Sequence, residues 1–257
     1  MPEQIWWVNM ANESLQTNMP DGIEIAHQLE GHEADVRRMA WSPDGTKLAS
    51  PSDDGSIRLW YPQNDGGILH KVLRGHDGQV SGCTWSPDSS KLGSCSDDGS
   101  VFIWHKDDDK DPKRFPLAMR MPTCIDWHPR EMLVAVGCQA TNLALLDLSG
   151  EGTLVPPIEK AKEQRNVSAL AWSPRGDMLA AGSSNGTFAF WDKSGKWLDG
   201  QKGHEGAVLC VAWSRDGSML ATGAQDGRFL LWRPGESKPF HALNGDGGVV
   251  KAATFSA

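Results

Sequence analysis

At 257 residues the chain is long enough to bury a substantial core. Its 25 Lys and Arg stand against 33 Asp and Glu, a net charge of −8, which counts against a general phosphate-backbone binder that depends on concentrated positive charge. No apolar run reaches the roughly 18 residues of a membrane helix, and the opening "MPEQIWWVNMANES" lacks the layout of a secretory signal. A soluble cytoplasmic chain without membrane contact is therefore expected, with nucleic acid disfavoured as a partner.

In chain order, "QIWWVNM" (4–10) and "IEIAHQL" (23–29) are the first strand candidates. The next, "GHEADVRRMAWSPDGTKLASPSDDGSIRLW" (31–60), is a unit that recurs. Copies run through 80–104, 167–191 and 208–232, with a weaker copy through 122–147. An inner aromatic falls at Trp41, Trp85, Trp127, Trp172, Trp213 and Phe255, spaced 44, 42, 45, 41 and 42 apart. A closing Trp falls at Trp60, Trp104, Trp191 and Trp232, with Leu146 in the weak copy.

Within each copy the apolar period is two, and "SPDG" and "DDG" supply hairpin turns. Each copy is thus three short strands, and a fourth lies between copies in "ILHKVL", "RFPLAM", "TLVPPI", "KWLDG" and "KPFHAL". No segment predicts an amphipathic helix of ten residues. Four-stranded antiparallel sheets repeated at this period predict an all-β propeller, in which each sheet buries its faces against its neighbours.

The five cysteines, Cys83, Cys95, Cys124, Cys138 and Cys210, form no CxxC pair. Buried free thiols are expected, in a reducing compartment. Walker, GxGxxG, HExxH, EF-hand and GxSxG signatures are missing, and the acidic run "HKDDDKDPKR" (105–114) has no calcium-loop spacing. It is expected to be a solvated loop. No cofactor or metal is expected.

On these repeats the chain resembles the WD40 family from residue 25 onward. Only Trp191-Asp192 is a literal Trp-Asp pair; Trp60-Tyr61 and Trp104-His105 depart from it. The resemblance implies a ring of six blades whose closing blade combines the C-terminal strand "VVKAATF" (249–255) with N-terminal strands, "QIWWVNM" and "SLQTN" (14–18) supplying the middle pair and "IEIAHQL" the outermost strand. The alternative is an incomplete or open propeller from a longer chain, with an edge available for strand exchange. Residues 1–257 would form a single domain, residues 1–24 being its atypical N-terminal segment.

His32, His76 and His204 each precede Asp54, Asp98 and Asp226 by 22 residues. Alone, such sets beside Ser52 or Ser96 suggest hydrolase triads, but three copies spread over three repeats cannot all be one active site. The resemblance implies structural tetrads instead: His32, Ser52, Asp54 and Trp60; His76, Ser96, Asp98 and Trp104; and His204, Asp226 and Trp232, with Ala224 in place of the serine. The fourth copy has Glu163 and Asn185 at the His and Asp positions, the third has Ala118, and the sixth start has Asp246.

The resemblance also implies that partners dock where the inner strands begin. Carried to this chain, that rim comprises Asp35, Arg37, Gln79, Ser81, Met121, Thr123, Asn166, Ser168, Ala207, Leu209, Val249 and Lys251. In a closed ring Arg37 and Lys251 would be neighbours able to accept an acidic or phosphorylated peptide, or else two solvated charges. Trp6 and Trp7 either complete the closing blade or form a docking patch. No repeat ends in Trp-Asp-x-Arg, so the family's ubiquitin-ligase adaptors lend no support. The resulting reading is a non-enzymatic scaffold for a protein or peptide partner; the alternative is a sensory or regulatory domain of a larger signalling or enzyme-bearing protein.

Overall fold

The computed structural model describes residues 4–8, 24–61, 68–105, 111–117, 121–139, 142–150, 153–155, 166–244 and 248–255. Five four-stranded sheets follow the repeats. Sheet one holds β3 (Ala40–Trp41), β4 (Leu48–Pro51), β5 (Ser56–Tyr61) and β6 (Ile68–Arg74); sheet two holds β7 (Val80–Trp85), β8 (Lys91–Ser96), β9 (Ser100–His105) and β10 (Lys113–Pro116). Sheet three holds β11 (Met121–Trp127), β12 (Leu133–Gln139), β13 (Asn142–Asp147) and β14 (Thr153–Val155). Sheet four holds β15 (Val167–Trp172), β16 (Leu179–Ser183), β17 (Thr187–Trp191) and β18 (Trp197–Lys202); sheet five holds β19 (Val208–Trp213), β20 (Leu220–Ala224), β21 (Arg228–Trp232) and β22 (His241–Asn244). Within each sheet the strands lie in chain order, as two-residue periodicity and short turns require.

The chain forms two compact units, Met1–Arg114 and Phe115–Ala257. In the first, Ile57, Leu59 and Leu73 of sheet one pack with Val80, Trp85, Leu92 and Phe102 of sheet two. Trp85 Nε1–H donates to the Ala40 carbonyl at 3.0 Å, so the inner aromatic also fixes the spacing of the sheets. The second unit repeats this device: Trp213 Nε1–H donates to Ala171 O at 3.0 Å. Gly182 sits where a Cβ would lie 2.4 Å from Val208 Cγ1, and its bare backbone admits the valine of the next inner strand. Trp85 is 5% exposed and Trp213 9%, whereas Trp41, on the first sheet of its unit, is 44% exposed.

Four inner hairpins close on a serine that donates to an aspartate: Ser42 to Asp44, Ser86 to Asp88, Ser173 to Asp177 and Ser214 to Asp216, at 2.6 to 2.7 Å. Sheet three has His128 instead. Its Nδ1 accepts from the Arg130 and Glu131 amides at 3.1 and 2.9 Å, so Nε2 carries the proton and donates to Gly176 O at 2.9 Å. The histidine thereby shapes its own turn and ties it to that of sheet four.

Two expectations about the termini are corrected. β1 (Gln4–Val8) is a strand, but it pairs parallel with β2 (Glu24–Leu29). Neighbours in an up-and-down blade run antiparallel, so these strands are not its middle and outer strands in the expected order. Residues 248–255 form no strand. Their start is nonetheless docked: Val250 N–H donates to Ala224 O at 3.1 Å, just as Val80 N–H donates to Ser52 O at 3.0 Å. The expectations placed on residues 14–18, Ala118, Glu163 and Asp246, and on residues 106–110 of the acidic loop, lie outside the described residues.

Candidate protein-interaction rim

Three polar chains run through sheets one, two and five. Trp60 Nε1–H donates to Ser50 Oγ at 2.8 Å, Ser50 Oγ lies 2.8 Å from His32 Nε2, and His32 Nδ1 lies 2.8 Å from Asp54 Oδ2. Sheet two repeats this with Trp104, Ser94, His76 and Asp98, and sheet five with Trp232, Thr222, His204 and Asp226. The expected serines are therefore corrected. Ser50 and Ser94 hold the place assigned to Ser52 and Ser96, and sheet five does not lack a hydroxyl, because Thr222 supplies it. Ser52 Oγ instead accepts from the Asp54 amide at 3.1 Å and donates to Ala34 O at 3.2 Å. The physical reason is register: the hydroxyl must face the closing Trp across the ladder, and Leu48 pairs with Trp60 so that Ser50, on the same face, lies under the indole.

Burial pushes the His76 and His204 imidazoles below their ordinary value, against the opposing pull of Asp98 and Asp226. Both rings are thus neutral, with Nδ1–H donating to the aspartate and Nε2 accepting from the hydroxyl. Burial raises the Asp98 and Asp226 carboxyls, but hydrogen bonds, from Ser100 and His76 at Asp98 and from the Glu205 and Arg228 amides at Asp226, outweigh it and leave both below the usual range. Each histidine therefore stabilises the fold fully above its unfolded value near 6.5, and that contribution is lost as the pH falls through its depressed folded value. Urea midpoints should fall between pH 7.5 and 5.5, before the carboxylates begin to titrate below about 3.8. A flat midpoint over that interval would contradict the neutral assignment.

The aspartates also anchor the loops that lead to the inner strands. Asp54, Asp98 and Asp226 accept from the amides of Glu33, Asp77 and Glu205 at 3.1, 3.0 and 2.9 Å. Three residues after each histidine the chain reaches the rim, held by a second bond: Asp53 N–H to Asp35 O, Asp97 N–H to Gln79 O and Gln225 N–H to Ala207 O. Sheet four uses the same anchor, Ser184 N–H to Asn166 O at 3.0 Å, with Asn166 in the left-handed region at φ 60°. Asp35, Gln79 and Asn166 are exposed, so the frame fixes their backbones and leaves their side chains outward.

Other rim residues are differently employed. Thr123 Oγ1–H donates to Val167 O, and Ser168 Oγ–H donates to Val208 O at 2.6 Å. These hydroxyls latch one sheet to the next and are committed to the frame. Arg37 is an exposed charge that is already paired: Nε–H and Nη2–H fork onto the Asp53 carboxylate, and that bond, with Asp35 and Asp97 nearby, holds the guanidinium above its ordinary value. Ser81 and Leu209 are half-buried, and Met121, Val249 and Lys251 are exposed.

Among the described residues sheet four shows no such polar chain. Ten residues before Trp191, where Ser50, Ser94 and Thr222 stand in their sheets, is Ala181. Trp191 is fully buried, and among the described residues its Nε1–H has no acceptor. Ala181→Ser should supply one, its own proton free to reach Ala189 O, the carbonyl paired across the ladder. The expected gain is about 1 kcal/mol in urea unfolding; a loss would mean that the site has no room for the hydroxyl.

The model of the family described as IFT122 first beta-propeller matches residues 8–257. The chain belongs to that family. The crystal structure of the Cps50 (Swd1) β-propeller domain from Myceliophteria thermophila superposes with a TM-score of 0.70 at 20% identity, covering 83% of this chain and 72% of that one. This likeness shows the fold, a WD40-type β-propeller. The probable cytosolic iron-sulfur protein assembly protein 1 of Candida glabrata is 33% identical over 86 residues, 33% of this chain and 24% of that protein. Striatin-4 of Mus musculus is 44% identical over 46 residues, covering 18% and 6%, and the human nucleoporin SEH1 47% over 38 residues, covering 15% and 11%. The chain thus spans about a quarter or less of these relatives' lengths, and each shared segment is about one or two repeats long. Proteins of this fold are typically protein-interaction scaffolds and generally not enzymes.

Proposed function

We propose that this propeller is a non-enzymatic scaffold that binds a protein or peptide on the rim where its inner strands begin. The observation that carries this reading is the contrast at one position: the same backbone anchor recurs in four repeats while the side chains on it are Asp35, Gln79, Asn166 and Ala207. A repeated frame with unlike outward residues is what specificity on a scaffold requires. In the first unit Asp35, Asp53 and Asp97 surround the paired Arg37, which favours a basic ligand segment there over the acidic one that Arg37 alone suggested. Six blades remain the proposed count, supported by the docking of Val250 on sheet five.

A cytoplasmic setting is part of the proposal. All five cysteines are free, and burial pushes the Cys83 thiol up to about 12. No helix among the described residues is long and apolar enough to cross a membrane.

The test is affinity capture from native lysate with quantitative mass spectrometry, comparing the wild type with an Asp35→Lys, Gln79→Lys variant whose near-ultraviolet spectrum is unchanged. A stoichiometric partner lost in the variant supports the rim. Retention of that partner moves binding elsewhere, and absence of any partner favours a regulatory domain whose ligand lies in the same longer polypeptide.

A further inference from the structure

Sheets three and four carry a second concavity, at the end opposite the rim. The turns β11–β12, β13–β14 and β17–β18 all lie at that end, because antiparallel strands alternate their turns. Between them is a cavity of about 550 Å³ whose lining includes Glu131, Met132, Leu133, Asp147 and Lys193. Its wall is largely apolar. Lys193 Nζ crosses from sheet four to Glu131 Oε1 at 2.6 Å, and the His128 turn described above holds the Glu131 backbone in place.

The charges select an occupant. Lys193 pairs with Glu131, so among the described lining residues Asp147 carries a negative charge that no further cation balances. Its carboxylate accepts the Ser149 amide at 2.8 Å, and the Ser149 hydrogen bonds keep it below its ordinary value, ionised at neutral pH. An anionic guest would meet two carboxylates and an ammonium already paired. A cationic one would meet Asp147 directly, with the half-buried Met132 to receive an aliphatic stem.

We infer that this cavity is a docking site for a peptide segment bearing a lysine or arginine beside aliphatic side chains, its stem on Met132 and its charged head on Asp147. The site is separate from the rim and stands or falls without it. The decisive experiment is selection of random hexapeptides by mRNA display against the whole 257-residue chain, followed by affinity measurement on synthetic copies of the enriched peptides. The expected winners carry Lys or Arg next to Leu, Ile, Val or Met, and bind at least tenfold more weakly to Asp147→Asn, which retains the acceptor for Ser149. Asp35→Lys, on the rim, should leave their affinity unchanged, and a photo-crosslinker beside their cation should label Met132. Acidic winners that are lost in Lys193→Ala would overturn the assignment, as would a selection yielding no peptide sensitive to Asp147→Asn.

Discussion

Ser50→Ala is expected to lower folding stability by about 2–4 kcal/mol, because it strands two buried groups at once. Trp60 Nε1–H loses its acceptor, and His32 Nε2, whose ring already donates from Nδ1–H to Asp54, loses the hydroxyl 2.8 Å away; the Ser50 carbonyl, itself an acceptor, cannot replace it. Ser52→Ala, two residues away and as deeply buried, should cost only about 1 kcal/mol. Its hydroxyl serves the Asp54 amide and Ala34 O at the loop edge, and sheet five already carries Ala224 at the matching position. Urea unfolding of the two variants, followed through tryptophan fluorescence, checks the order. Equal losses, or a larger one at Ser52, would return the tetrad to the serine next to the Asp-Asp-Gly turn.

That comparison also shows how far the sequence alone carries. Strand positions, turn chemistry and the His-to-Asp spacing were legible because each is set by local periodicity and repeats in register. The hydroxyl was misplaced although the copies hold the signal. Ser50, Ser94 and Thr222 accompany His32, His76 and His204, while Ala181 stands in the copy without that histidine; Ser52, Ser96, Ala224 and Ser183 show no such correlation. The latching of Thr123 and Ser168, and the neutralisation of Arg37 by Asp53, could not be read, because those partners are set by how one sheet or loop meets the next. The parallel pairing of β1 with β2 likewise departs from the up-and-down pattern that the repeats teach.

Gly186→Ala should have the largest effect of any single methyl addition considered, about 4 kcal/mol or more. Gly186 has φ 82°, in the left-handed region, and a Cβ there would lie 2.1 Å from the His204 carbonyl oxygen, a backbone atom with no rotamer to yield. Gly186 O also receives His204 N–H at 3.2 Å, so the start of β17 and the loop before sheet five are in direct contact. Moving that loop pulls His204 from Thr222 and Asp226, and with it the anchor of Ala207 on the rim. Gly235→Ala isolates the conformational part: φ is 88° and nothing lies within 4 Å of the new Cβ, so only about 1 kcal/mol should be lost. If the two variants unfold at the same urea concentration, the contact at Gly186 is not what joins sheet four to the loop of sheet five. If Gly186→Ala falls far below Gly235→Ala, the stability of one sheet and the placement of the next rim residue depend on the same backbone contact.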